Sequence, residues 1–127
     1  MTKTLPTTQS PDVSPTHRLL AMMFGTVQTQ LVRVAAQLRI ADHLKDGPRS
    51  LTVLAEATGI PPLALARVLR ALIDLDLIQE PETDQFICTP EGELLRSDTP
   101  DSLRHYAILT GSEWIVQPWP RLLRSLQ

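Results

Sequence analysis

Residues that commonly carry catalysis or bind metals are few in this chain, and they are scattered. His17, His43 and His105 each lack a second histidine, cysteine or carboxylate at a spacing typical of a metal site. The single cysteine, Cys88, has no histidine at a spacing that indicates a nucleophile pair. We therefore expect no catalytic residue and no metal site, and we interpret Cys88 as a small core residue sharing one strand face with Phe86.

The glycines are too widely spaced to hold a nucleotide cofactor. A dinucleotide-binding turn and a P-loop both need glycines within a few residues of each other, so that backbone amides can reach phosphate. No two glycines here are closer than twelve residues; they are Gly25, Gly47, Gly59, Gly92 and Gly111. We expect no cofactor to be bound by this chain itself.

Two of the five aromatic residues are tryptophans near the end of the sequence. Trp114 and Trp119 both fall within the last fourteen positions. Tryptophan packs as a large apolar anchor, and it also lines pockets for flat aromatic molecules. Both interpretations remain open from the sequence alone.

A long apolar stripe precedes these features. No proline interrupts the chain from His17 to Leu44, and apolar residues recur in steps of four and three at Leu20, Phe24, Val27, Leu31, Val34, Leu38 and Ala41. This spacing predicts one long amphipathic helix. Its apolar surface is widened by Met22, Met23, Ala35 and Ile40. We expect the stripe to contact a second copy of the chain, although both faces could instead pack inside one monomer.

The centre of the sequence has the pattern of a winged helix. Two short amphipathic segments within residues 54–72 join at Gly59-Ile60-Pro61, Ser50 is placed to cap the first, and the second extends over 61–78. Residues 77–89 predict a hairpin, followed by a helix over 89–97. The expected fold is mainly α, a winged helix-turn-helix with a long N-terminal helix, a small β-hairpin wing and extra C-terminal helices over residues 17–127. A disordered tail, residues 1–16, is expected before it.

Charge argues against DNA binding by this helix-turn-helix. The second helix is neutral, since Arg67 and Arg70 are offset by Asp74 and Asp76, and we interpret the two arginines as surface residues or inter-helix ion-pair formers beside these aspartates. The wing and the following helix, residues 79–98, carry net −5 from Glu80, Glu82, Asp84, Glu91, Glu93 and Asp98 against Arg96. Carboxylates at these positions repel a phosphate backbone. We expect no nucleic-acid partner.

Composition indicates one globular domain. The 127 residues are 43% hydrophobic and 20% charged, with net charge −2. No apolar run approaches the roughly 18 to 20 residues of a membrane span, and the first sixteen residues lack the apolar core of a secretion signal. We expect a cytoplasmic protein without a membrane partner.

The order of elements resembles a known family. One phrase, A-x-x-L-x-I-A-D-x-L at residues 35–44, is followed by Gly47-Pro48, and a second, R-x-L-R-x-L, spans residues 67–72. Together with the hairpin and TPEGELLRSD, they resemble the N-terminal dimerisation domain of small-molecule O-methyltransferases, which depend on S-adenosylmethionine. The resemblance covers residues 17–127.

The resemblance implies a homodimer and one wall of an acceptor-substrate pocket. It places Met22, Met23, Phe24 and Trp114 where family members contact substrate or the partner subunit. The dimer-interface candidates are Leu20, Phe24, Val27, Leu31, Val34 and Leu38. In the family, S-adenosylmethionine and the catalytic base belong to a following Rossmann-like domain that is not present in this sequence, so the resemblance implies no catalytic or cofactor-binding residue here.

Three functions follow from these observations. The first is a dimerisation and substrate-pocket domain without catalysis of its own, as a stand-alone chain, a fragment, or one half of a split enzyme with a separate catalytic chain. The second is a stand-alone protein that binds an aromatic metabolite, and the third is a diverged winged-helix regulator. One position departs from the winged-helix pattern, because Asp76 stands where glycine is usual. We expect this turn to survive, since aspartate tolerates the left-handed conformation better than most residues.

Overall fold

A computed structural model describes residues 13–127, which form helices around one small hairpin. The predicted mainly α, winged-helix class is confirmed. Most of the predicted N-terminal tail lies outside the described residues, but residues 15 and 16 are helical, because Ser14 caps α1 by accepting from the His17 amide. The helices are α1 (Pro15–Met23), α2 (Gly25–Gln37), α3 (Ile40–Leu44), α4 (Leu51–Thr58), α5 (Pro62–Asp74), α6 (Pro90–Glu93), α7 (Arg104–Thr110), α8 (Glu113–Val116) and α9 (Leu122–Leu126), and the strands are β1 (Ile78–Glu82) and β2 (Gln85–Cys88).

The prediction of one long N-terminal helix is wrong, because the chain bends by 53° between α1 and α2. The break falls at Phe24 and Gly25. Thr29 donates its hydroxyl to the Gly25 carbonyl at 3.0 Å, and such back-bonding beside a glycine is a common cause of helix bending. The stripe is therefore divided between two helices that point in different directions.

A second break separates α2 from α3. Arg39 adopts the left-handed conformation, with φ of 56°. The Ala36 carbonyl accepts from the Arg39 amide at 3.2 Å and from Arg104 Nε at 2.8 Å. The main chain turns away from α2 at this point, and α3 begins with its residues Ile40, Ala41 and Leu44 buried.

The helix-turn-helix agrees closely with the prediction from the sequence. Ser50 caps α4 by accepting from the Val53 amide, and Gly59 ends that helix with φ of 74°. Helix α5 begins at Pro62 and ends at Asp74, four residues before the predicted end. Asp76 then takes the expected left-handed conformation, with φ of 59°.

The predicted hairpin is confirmed, and it is tied to the chain around the start of α4. Its antiparallel strands pair Ile78 with Cys88, and the register shifts before the turn. Arg49 forms an isolated bridge to Phe86 on the outer side of β2. In the turn, Asp84 accepts from the Leu51 amide at 2.9 Å, which fixes the wing to the start of α4.

The helix predicted over 89–97 is shorter than expected. Thr89 caps α6 by accepting from the Gly92 amide at 3.1 Å, but regular helix ends at Glu93. Beyond it, the amide and hydroxyl of Ser97 donate to the two carboxylate oxygens of Asp42, at 2.9 and 3.0 Å. These bonds to α3 draw the chain out of the helical path.

The core lies where α2, α3, α4, α5 and the hairpin meet. Its largest fully buried side chains are Ile40, Leu54, Leu65, Leu69, Leu72 and Ile78. The family-like phrases consequently have a structural basis, because their apolar positions are core residues and Asp42 holds the loop after α6.

Candidate functional site

An exposed apolar surface covers the bend between α1 and α2. We call it the N-terminal patch, and its side chains are 46–68% exposed: Leu19, Leu20, Met22, Met23, Phe24 and Val27. No residue of α1 is buried. Single exposed apolar residues are ordinary in proteins, but a contiguous group of this kind marks an interaction surface.

The six predicted interface residues do not share one environment. Leu20, Phe24 and Val27 belong to the exposed N-terminal patch. Leu31, Val34 and Leu38 are half-buried, and Leu31 and Leu38 pack against the core of their own chain. The structure therefore divides the predicted stripe into a free part and a part that contributes to the monomer core.

Of the predicted pocket residues, Met22, Met23 and Phe24 lie together at the bend. Met22 also lines a groove of about 490 Å³ inside the angle between α1 and α2, together with Val13, His17, Arg18, Ala21, Gly25 and Gln28. This groove presents an imidazole, a guanidinium and an amide beside apolar side chains. It provides a concave surface next to the N-terminal patch.

A second exposed apolar surface is formed by the end of the chain. We call residues 112–126 the C-terminal arm; it contains α8, a 3-10 turn (Trp119–Arg121) and α9. Its large exposed side chains are Trp114, Trp119, Leu122, Leu123 and Leu126. Trp114 projects from α8 with 69% of its surface exposed.

Trp119, which sequence reasoning left undecided, lines the larger groove. This groove of about 540 Å³ lies between the C-terminal arm and the start of α2, and we call it the arm groove. It is lined by Gly25, Thr26, Thr29, Thr110, Val116, Trp119 and Pro120. None of these side chains is ionisable, so the groove suits an uncharged flat surface. The available sequence signal is that Trp114 and Trp119 both fall in the last fourteen positions of a chain with only five aromatic residues.

The outer face of the helix-turn-helix shows an ion pair that differs from the predicted one. Arg70 pairs with Glu80 of β1 at 3.9 Å, and not with Asp74 or Asp76. Helix α5 ends before Asp76, and the wing brings Glu80 beside Arg70. The Arg70 side chain is largely exposed and the pair is long, so it contributes little stability. It does occupy one of the two arginines that could otherwise face a phosphate.

The Cys88 thiol and the scattered metal-ligand candidates lie in surroundings that do not favour chemistry. Cys88 is half-buried against the core, and burial raises the pKa of its thiol to about 12. Such a thiol is a poor nucleophile at neutral pH, which fits the prediction of a small core residue. Within residues 13–127, no group of three or more histidine, cysteine or acidic residues is placed to hold a metal ion.

No single helix in the described part of the chain is long and apolar enough to cross a bilayer. Only when joined across their bends do α1 with α2, and α4 with α5, reach that length and composition.

Comparison with known proteins identifies the domain. The profile of the O-methyltransferase dimerisation domain matches residues 20–107. Phenazine O-methyltransferase PhzM of Lysobacter antibioticus is 41% identical over 109 residues, which are 86% of this chain and 32% of that protein. The 8-amino-8-demethylriboflavin N,N-dimethyltransferase of Streptomyces davaonensis is 37% identical, over 94% of this chain and 35% of that protein.

Solved structures agree with these relatives. The crystal structure of LaPhzM superposes with a TM-score of 0.83 at 40% identity, covering 91% of this chain and 34% of that one. The riboflavin-derivative dimethyltransferase RosA of Streptomyces davawensis superposes with a TM-score of 0.79 at 32% identity, covering 90% of this chain and 34% of that one. The chain spans about a third of the length of each relative, and it belongs to the O-methyltransferase dimerisation domain family.

Proposed function

We propose that the chain forms a homodimer in which the N-terminal patch is the principal contact. The observation that carries this proposal is the group of six large apolar side chains left exposed around the bend. Burial of apolar surface is the main favourable contribution to association. The exposed leucines of the C-terminal arm add a second apolar area that a partner chain could cover. The membership of a dimerisation domain family supports the same assignment.

Paired aspartate substitutions test this contact. We expect Phe24→Asp to shift the protein toward monomer in sedimentation velocity, because a buried unpaired carboxylate strongly opposes association. Leu63→Asp is the matched control, since Leu63 is 74% exposed on α5, outside the patch and the arm. Equal sedimentation of Phe24→Asp and the parent protein at every concentration would remove the patch from the interface.

We further propose that this dimer supplies one wall of an acceptor pocket for aromatic compounds. Met22, Met23 and Phe24 would form one part of that wall, and Trp114 and Trp119 of the C-terminal arm the other. Flexible methionines and flat aromatic rings suit the face of a planar ligand. The relatives support an aromatic acceptor, because their names include a phenazine and a riboflavin derivative.

Tryptophan fluorescence measures this binding directly. Trp114 and Trp119 are the two tryptophans of the chain, so quenching by added phenazine reports on the arm alone. We expect saturable quenching in the parent protein and weaker binding in Trp119→Leu, which keeps an apolar side chain but removes the flat ring. Quenching that stays linear in phenazine concentration would show collision without a site, and would refute the proposed wall.

S-adenosylmethionine would supply the methyl group in the complete reaction of this family. The described residues do not fit it, because their sheet is one antiparallel hairpin and their glycines form no phosphate-binding turn. We therefore assign no chemical step to these residues. We propose that methyl transfer uses a catalytic domain outside residues 13–127, in the same protein or in a partner chain. Methylation of an acceptor that requires both this chain and such a domain would test the assignment.

A further inference from the structure

We infer that Gln30 and Arg33 of α2 are positioning residues, which hold the C-terminal arm, and with it Trp119, against the start of α2. The inference rests on the proposed function, in that the arm is taken to form part of the acceptor wall. It concerns how the wall is held in place, and its main test needs no ligand.

Three side-chain hydrogen bonds join α2 to α7. Gln30 Nε2 donates to the Gly111 carbonyl at 2.9 Å, and Arg33 Nε donates to the Ile108 carbonyl at 3.2 Å. In the opposite direction, Arg104 Nε donates to the Ala36 carbonyl at 2.8 Å. The α2 partners are three residues apart, about one helical turn, so the bonds form a ladder along two antiparallel helices.

The ladder fixes both the register and the end of α7. A shift of α7 by one turn would move every accepting or donating group away from its partner. Arg33 also brings a positive charge to the C-terminal end of α7, and Arg104 does the same for α2, where the helix dipole favours cations. Each helix therefore has an arginine of the other at its carbonyl end.

The contact at Gly111 is closely fitted. A Cβ atom at this position would lie 2.8 Å from Cδ and 2.9 Å from Cβ of Arg33. The absence of a side chain thus allows the aliphatic part of Arg33 to cover the Gly111 backbone, while its Nε reaches Ile108. This joint is where α7 ends and the C-terminal arm begins.

The direction taken at Gly111 determines where the tryptophans lie. Trp114 follows three residues later, and Trp119 lines the arm groove opposite Gly25, Thr26 and Thr29 of α2. Gln30 follows Thr29 directly, so the last bond of the ladder lies beside that groove. A second groove at the same joint is lined by Gln30, Arg33 and Gly111 together with Glu113, Val116 and Gln117. A rotation at Gly111 would therefore change the shape of both grooves.

Time-resolved tryptophan anisotropy of the full chain tests the inference. We expect Arg33→Met and Gln30→Met each to add a fast, nanosecond depolarisation that reports swinging of the arm, while far-UV circular dichroism stays unchanged. Methionine keeps an unbranched apolar chain and removes the donor.

Gln37→Met and Arg67→Met are the matched controls, because both sites are exposed and outside the ladder. Arg33→Lys retains a cation and a donor, and should restore part of the slow decay.

The outcomes separate positioning from simple stabilisation. If the ladder only adds stability, Arg33→Met will unfold at a lower temperature but keep the anisotropy decay of the parent protein well below that temperature, and the inference is overturned. Gln30→Met, which loses only the last bond, provides the same test should Arg33→Met fail to fold.

Phenazine affinity should fall about three- to tenfold in the ladder variants, as expected when a preorganised surface becomes mobile. A parent protein that does not bind phenazine would refute the proposed wall but leave the anisotropy result valid.

Discussion

At the scale of single residues, close backbone contacts depend on glycines at positions where no side chain fits. Gly92 is the clearest case, because a Cβ atom there would overlap the Leu77 carbonyl oxygen. That carbonyl also accepts from the Thr89 amide at 3.1 Å. The start of α6 therefore packs directly against the backbone just before β1, with no space for a side chain between them.

We expect Gly92→Ala to lower the free energy of unfolding by about 2 to 3 kcal/mol, the upper range for overpacking, because the clash is with backbone. Gly25→Ala is the matched control, since a Cβ atom there has no neighbour within 4 Å. Its effect should be within about 1 kcal/mol and favourable, because alanine is the better helix former. Urea unfolding followed by circular dichroism measures both, and a tolerated Gly92→Ala would contradict the packing described.

A charged network beside α3 gives stability a pH dependence. Arg96 donates from Nε and Nη2 to the two oxygens of Asp98, each at 2.9 Å, and this pairing lowers the pKa of Asp98 to about 2 from 3.8. Partial burial raises the pKa of Asp42, but the hydrogen bonds from Ser97 and the charge of Arg39 outweigh burial, so the pKa is lowered overall. Both carboxylates stabilise the fold when ionised.

The free energy of unfolding should consequently fall as pH drops from about 4 toward 2. A carboxylate whose pKa is lower in the folded state stabilises the protein above its unfolded pKa, and this contribution is lost as the folded group takes up a proton. We expect Asp98→Asn to lose less stability over this range than the parent protein. Asp101→Asn, which removes an exposed carboxylate outside the network, should retain the parent slope. Identical slopes for all three proteins would refute the role of Asp98.

At the scale of elements, local signals in the sequence are sufficient for the start and end of α4, the hairpin and the start of α6. Ser50 caps α4 as predicted, Gly59 and Thr89 lie at helix ends where the sequence pattern changes, and Asp76 takes the expected left-handed conformation. Each of these outcomes depends on the chemistry of one residue and its immediate neighbours. They are therefore visible in the sequence without knowledge of tertiary contacts.

The features that the sequence does not predict depend on tertiary contacts or on single side-chain hydrogen bonds. The bend at Gly25 was missed because the apolar stripe continues through it, and the Thr29 hydroxyl bond leaves no signature in the periodicity. The ion pair of Arg70 with Glu80 was not predicted, because Glu80 comes close to Arg70 only after the wing folds back. The ladder between α2 and α7 joins residues 68 to 81 positions apart, through carbonyl groups that every residue possesses. Sequence patterns do not encode such bonds.

Arg104 should be important for joining these two helices. Its side chain is buried, with only 8% of the residue exposed, and its Nε satisfies a carbonyl at the end of α2. We expect Arg104→Met to lower the free energy of unfolding by about 1 to 3 kcal/mol, as for loss of a hydrogen bond from a charged donor. Arg121→Met, at an exposed position of the C-terminal arm, should change it by less than about 0.5 kcal/mol. Indistinguishable urea midpoints for the two variants would contradict this role.

At the scale of the whole molecule, apolar surface is concentrated at the two ends of the described chain. The core lies between α2, α3, the helix-turn-helix and the hairpin, whereas the N-terminal patch and the C-terminal arm remain exposed. Charge is also uneven, since residues 13–41 include Arg18, Arg33 and Arg39 but no carboxylate. The winged helix thus serves as a scaffold, and the surfaces suited to a partner lie on the segments that flank it.

Sedimentation equilibrium of the unmodified chain at tens of micromolar tests the central claim most directly. If the N-terminal patch is a homodimer contact, the measured mass will be twice that of one chain, and it will fall toward one chain mass in Phe24→Asp but not in Leu63→Asp. A mass of one chain for the unmodified protein throughout this concentration range would contradict the proposal that these exposed residues form the interface of a dimer.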